Sequence, residues 1–122
     1  MKKVKSTRKQ LRDKADRLAG NLVRGRGACE LGGVDKVRCN QGLQWAHIVG
    51  RSNYRLRWER WNALALCSSH HLYYTHRPWE WQELIRERYP DNYELITRHR
   101  NELFDGDYDR IIKELQDETI AE

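Results

Sequence analysis

The chain is short of apolar bulk. Hydrophobic residues make up 39% of its 122 positions, with a single Phe, a single Met and two Pro. No stretch approaches the roughly 18 consecutive apolar residues that a membrane-spanning helix needs, so no membrane segment is expected. Cysteine is scarce too: three thiols cannot all pair. No secretory leader is visible either, and a disulfide-built secreted scaffold is therefore disfavoured. Thiols serving a metal in a cytoplasmic protein fit better. This length makes one domain with a thin core, and cores of that kind are often supplemented by a bound metal.

Charge is what the chain has in quantity, at 34% of residues and a formal net of +5. Its distribution is uneven. Residues 1–28 carry ten Lys and Arg against two Asp, a net of +8, whereas residues 101–122 carry eight Asp and Glu against two basic residues, a net of −6. A basic head of this kind fits a polyanion such as DNA, and equally a solvated surface.

Residues 1–5 are expected to fray. From Ser6 or Thr7 as cap, Leu11, Ala15, Leu18, Ala19 and Leu22 recur at helical spacing, and Gly20 or Gly25 ends the run. The opposite face is lined with Lys and Arg, so the helix either contacts phosphates or is simply solvated. Residues 27–42 are glycine-rich and predict a knuckle followed by a short hairpin. Leu43–Val49 reads as a strand with Trp45 and His47 on one face and Ala46 on the other. A loop with Arg51, Arg55, Arg57 and Arg60 follows, then a second strand, Asn62–Cys67, and a helix capped by Ser68 or Ser69. Pro78 opens a further helix with Trp81, Leu84, Ile85 and Tyr89 as its apolar stripe. Pro90-Asp91-Asn92 breaks it, residues 92–104 form another, and Asp107 or Asp109 opens a last one bearing Tyr108, Ile111, Ile112 and Leu115. The expected class is α+β, as a single domain over residues 1–122: a basic helix (1–26), a strand–strand–helix core (27–77) and C-terminal helices (78–122).

Four of the five histidines fall within residues 43–76, and three residues there stand out: His47, Asn62 fifteen positions on, and His71 nine further. Hydrolysis of a phosphodiester needs a base for water, a cation for the developing charge, and rigid placement of both. A strand histidine can be the base, since its pKa lies near neutrality. A histidine at the start of the facing helix can hold a divalent ion. An asparagine between them can fix the loop.

With these residues and the surrounding words AHIVGRSN, NALALC and CSSHH, the stretch resembles the HNH endonucleases and their ββα-metal core. It is similar to the phage branch of that family, including NinG-type recombination nucleases and small HNH proteins found near packaging genes. The resemblance covers roughly residues 27–80. It implies a DNA endonuclease with little sequence specificity, working in phage packaging or recombination. His47 would be the general base, Asn62 the loop holder, and His71 the ligand of Mg²⁺ or Mn²⁺.

Two positions depart from the family pattern. Ala46 stands where many members have a second metal ligand, and Thr75 where many have a further histidine. His76, one residue on, is the expected second ligand beside water; the alternative is an ion bound weakly until the phosphate arrives. Cys67 and His70 stand where many members place a C-x-x-C pair for structural zinc. Cys29 matches the start of the other pair, but Gly32 occupies its second position. Cys29, Cys39, Cys67 and His70 together make a tetrahedral zinc set by count and type; the other reading is a decayed site of buried thiols. In the family the loop between the histidine and the asparagine flanks the duplex, so Arg51, Arg55, Arg57 and Arg60 would contact phosphates. Trp45, Trp58 and Trp61 either stack on unpaired bases or belong to the core. Two other functions fit the same residues: a non-catalytic zinc-containing DNA-binding module, and an accessory nuclease that docks on a packaging or recombination partner through its acidic last helix.

Overall fold

The computed structural model describes residues 5–121, so the expectation for residues 1–5 falls outside the described residues apart from Lys5. Helix α1 (Arg8–Arg24) begins with a reciprocal cap. Thr7 Oγ1 accepts from the Gln10 amide at 3.1 Å, and Gln10 Oε1 accepts from the Thr7 amide at 2.8 Å. It ends at Gly25, the later of the two candidate glycines. Strands β1 (Gln44–His47) and β2 (Ala63–Leu66) pair antiparallel, with Gln44 opposite Leu66 and His47 opposite Ala63. Helices α2 (Ser68–Thr75), α3 (Pro78–Arg88), α4 (Pro90–His99) and α5 (Tyr108–Ala121) follow. The class is α+β: helices around a small sheet, in which strand, loop, strand and helix succeed one another as β1, β2 and α2.

Each side of the sheet has its own core, which is why every residue of β2 is buried. On one side Ala46, Leu64 and Leu66 meet Leu31, Tyr74 and Ile85, with Trp81, Leu84 and Tyr89 packed at the edge. On the other, Ala63 and Ala65 lie against Val23 of α1 with Trp45 beside them. A third cluster joins the two ends of the chain: Ala15, Ala19 and Leu22 of α1 against Tyr108, Ile111, Ile112 and Leu115 of α5. The apolar stripe of the acidic last helix is therefore spent on its own core, and that face is not open for a docking partner. Trp58 completes this cluster, its ring 5.3 Å from Tyr108 and 5.4 Å from Phe104. Among the described residues no helix is long and apolar enough to cross a membrane.

Several sequence expectations are corrected. The strands are shorter than Leu43–Val49 and Asn62–Cys67, because the Asn62 side chain takes both the amide and the carbonyl of Val49 at 2.9 and 3.0 Å, diverting β1 from the ladder. Residues 27–42 form successive turns, with no strand among the described residues. The cap of α2 is Cys67, whose sulfur accepts from the His70 amide at 3.4 Å, and not Ser68 or Ser69. Helix α4 starts at Pro90 itself, where the missing N–H would be unpaired in any case. It stops at His99 because Asn53 Nδ2 donates to the Arg100 carbonyl at 3.0 Å and Arg55 draws Glu102 away at 2.9 Å. Leu103 is accordingly exposed.

Leu115 is fully buried between α5 and α1. Leu115→Ala should cost about 2–5 kcal/mol by the usual large-to-small penalty, read as a lower midpoint in urea with the slope unchanged.

Candidate functional site

The structure brings the expected residues into two sites that meet at the start of α2. The first is a thiol–imidazole cluster. Cys29 lies in the turns after α1, held against β2 by Glu30: its amide donates to the Ala65 carbonyl at 2.9 Å, and its carboxylate accepts from the Ala65 amide at 2.7 Å. Cys67 closes β2, and His70 lies in the first turn of α2. Cys39 arrives from the far end of the turn region. His70 Nδ1 stands 3.6 Å from Cys29 Sγ, 3.5 Å from Cys39 Sγ and 3.2 Å from Cys67 Sγ, and all four ligand atoms lie within 4.8 Å of one another. Ligands at ~2.3 Å for sulfur and ~2.0–2.1 Å for nitrogen on a tetrahedral ion stand about 3.5 Å apart, so the spacing fits. The cluster can hold a metal ion.

A Cβ built at Gly32 would lie 3.5 Å from Cys39 Sγ, so the Cys39 sulfur occupies the space a side chain at position 32 would enter. The turns thus bring Cys39 beside Cys29 across ten residues of sequence.

The surroundings suit a cation. The His70 Nε2–H donates to Asp35 Oδ1 at 2.9 Å, leaving Nδ1 with its lone pair toward the sulfurs. Tyr74 O–H donates to the other Asp35 oxygen at 2.7 Å. Burial raises the Asp35 carboxyl pKa, but the bonds from Tyr74, His70 and the Val37 amide outweigh it and lower the pKa. Burial also opposes the Cys67 thiolate, yet the His70 amide and imidazole bring its pKa down to about 6. Cys39 goes the other way: burial and the neighbouring Cys29 and Cys67 push it up to about 11. Without a cation, the thiols resist ionising together. No motif marks Asp35 or Tyr74; their roles follow only from the turn that returns residue 35 to α2.

The second site is a groove between β1 and α2. His47, Gly50 and His71 all line it, with Ala46, Thr75 and Trp81 along one part and Arg24, Gln44, Trp45 and Arg51 along the other. His47 ends β1. Its Nε2–H donates to the Arg57 carbonyl at 2.9 Å, so Nδ1 carries the free lone pair. Burial, with Arg51 and Arg57 nearby, lowers its pKa to about 4 against smaller opposing effects of the Arg57 carbonyl and Asp16, so the ring is neutral at pH 7. The Trp45 ring lies 4.2 Å away by centroids. His71 Nδ1 donates to Gln44 Oε1 at 2.6 Å, which leaves Nε2 free. Burial lowers the His71 pKa as well. Asn62 is fully buried, and besides Val49 it donates to the Leu56 carbonyl at 3.2 Å, tying down the start and the middle of the loop.

Two expectations fail here. His76 caps the C-terminus of α2 and does not line the groove with His71. Five residues along a helix turn the side chain about 140° away. All four loop arginines have partners within the protein, Arg51 the loosest, with its Nη2 3.6 Å from Asp16 Oδ2. Arg57 forks onto Asp16 at 3.0 and 2.7 Å, Arg55 bonds Glu59 and Glu102, and Arg60 pairs with Glu118. Arg51 does face the groove, 61% exposed, and Arg24 of α1 joins it there. Among the described residues no carboxylate lines this groove; its free ring nitrogens are His47 Nδ1 and His71 Nε2, and Thr75 Oγ1 is turned inward to the His71 carbonyl at 2.6 Å.

No family model, no curated protein and no solved structure matches the chain.

The protein purified with cobalt should show sulfur-to-cobalt charge-transfer and tetrahedral d–d absorption, and Cys39→Ser should change both. A normal cobalt spectrum in Cys39→Ser would remove Cys39 from the ligand set. Stripping the metal with a chelator should lower the melting temperature.

Proposed function

We propose that this chain is a metal-dependent DNA endonuclease of the HNH type, with a ββα-metal core stapled by zinc at Cys29, Cys39, Cys67 and His70. The observation that carries it is the paired histidines. His47 and His71 line one groove from opposite elements, and each has one ring nitrogen fixed by a hydrogen bond and the other free.

His47 Nδ1 takes a proton from water as the oxygen attacks phosphorus and the bond to the leaving oxygen breaks in line. The neutral ring is ready for this because its pKa is depressed. Asn62 holds the loop behind His47 at Val49 and Leu56. Gln44 holds His71 with Nε2 toward the groove. His71 Nε2 would hold a divalent ion, Mg²⁺ or Mn²⁺, which would supply positive charge for the phosphate and the leaving oxygen.

Arg51 and Arg24 supply phosphate contacts beside the groove, which give affinity with little sequence preference. Phage DNA packaging or recombination, in the cytoplasm of the host cell, is the setting we assign by resemblance. The lack of groove carboxylates and the burial of Ala46 favour one other reading, a catalytically weak zinc-containing DNA-binding module.

Supercoiled plasmid separates the two. Nicked or linear product is expected with Mg²⁺ or Mn²⁺ and none with EDTA. His47→Ala should lower the rate roughly 10²–10⁴-fold, the usual worth of a general base. Equal cleavage by wild type and His47→Ala would sink the assignment of the base, and DNA binding without cleavage would favour the module. Because the base is protonated only below a pKa of about 4, activity should not fall off through the ordinary histidine range near 6.5. A pH–rate profile from 4.5 to 8 checks this.

A further inference from the structure

The nuclease reading leaves one buried carboxylate without a task. Asp16 projects from the middle of α1 into the loop between β1 and β2, 16% exposed. Its Oδ1 accepts from Arg57 Nε at 3.0 Å and from Trp58 Nε1 at 2.8 Å, and its Oδ2 accepts from Arg57 Nη2 at 2.7 Å. Arg51 Nη2 lies 3.6 Å from the same Oδ2. Arg57, 12% exposed, is gripped further: its Nη1 donates to the Arg51 carbonyl at 3.2 Å. The backbone carbonyl of this same Arg57 receives the Nε2–H of His47 at 2.9 Å.

We propose that Asp16 is a positioning residue for the groove histidine: by clamping the Arg57 side chain it fixes the Arg57 carbonyl, and that carbonyl sets which ring nitrogen of His47 faces the groove. The proposal rests on the nuclease reading for its catalytic consequence, while the clamp itself stands on the geometry alone.

The physical reasoning has three steps. A bidentate fork between guanidinium and carboxylate fixes a plane as well as a distance, which a single bond does not. Burial of the pair makes partial release expensive, because either charge left alone would be poorly solvated. A histidine tautomer is chosen by the partner of its other nitrogen, so a carbonyl held in one place holds the proton on Nε2 and the lone pair on Nδ1. If the carbonyl were free to swing, both tautomers would populate, and only one carries the free Nδ1 that the reaction uses. Asn62 governs the loop at Val49 and Leu56, so residue 57 lies just beyond its reach. Asp16 covers that remaining stretch from α1. The basic first helix therefore has a second task besides offering cations to DNA.

The test uses the full chain with its metal, as wild type, Asp16→Asn and Arg57→Lys. Long-range proton–nitrogen correlation spectra read the His47 tautomer, and steady-state cleavage of a labelled oligonucleotide duplex in Mg²⁺ reads kcat and KM. Wild-type His47 should be the Nε2–H tautomer. In both variants a mixture should appear, kcat should fall roughly 10- to 100-fold as for a misplaced catalytic group, and KM should change by no more than about twofold. An Nδ1–H tautomer in wild type would overturn the proposal. So would a pure Nε2–H tautomer in both variants with kcat unchanged, since that would leave Asp16 a merely structural residue whatever the melting temperature does. The tautomer is read on the protein without DNA, so absence of cleavage by wild type would count against the nuclease reading and leave the clamp to be decided by the spectra.

Discussion

Two strands of four residues each cannot hold a geometry by themselves, and a lone hairpin in water is marginal at best. Everything at the groove therefore depends on what braces the sheet, above all the convergence of Cys29, Cys39, Cys67 and His70. Those ligands come from the turns after α1, from the end of the turn region, from the end of β2 and from α2. One ion at that point would join the turn region, β2 and α2, and its binding free energy would count as folding free energy. Glu30 does the same by hydrogen bonds, extending the edge of β2 with a residue outside any strand.

The opposite charges of the chain's two ends serve different purposes than their distribution suggests. The acidic last helix pairs its apolar stripe with α1 and leaves its carboxylates to solvent and to ion pairs such as Lys113 with Asp117. The arginines of the central loop, which in the sequence look like a set, divide by partner. Arg55, Arg57 and Arg60 are loop fasteners reaching α4's end, α1 and α5, and Arg51 remains toward the groove.

How much was legible follows from the range of each signal. Local periodicity placed α1, α3 and α5 and the faces they turn to the cores, although in α3 only Ile85 is fully buried, with Trp81 and Leu84 at the edge and Tyr89 just past the helix. The cysteines and His70 could be grouped by resemblance together with ligand count and type, and the structure does bring them together. What stayed hidden depended on contacts far apart in sequence. Nothing local says that Asn53 and Arg55 will end α4 early, that Asp35 will turn back behind His70, or that a carboxylate at position 16 will consume an arginine at position 57. His76 stands next to Thr75 in sequence, but the angular step of a helix turns it away from the face that carries His71.

His70 and His71 are successive residues on the first turns of α2, yet one faces the thiols and the other the groove. They behave as two spokes on one hub. A side-chain tip about 6 Å from the helix axis sweeps roughly 1 Å for each 10° that the helix rolls about its axis. A shift of that size at a reacting centre is enough to cost about two orders of magnitude in rate. An ion held by Cys29, Cys39, Cys67 and His70 would pin the first spoke and so set the azimuth of the second. The aim of His71 into the groove would then be inherited from a cluster on the far side of the same helix turn.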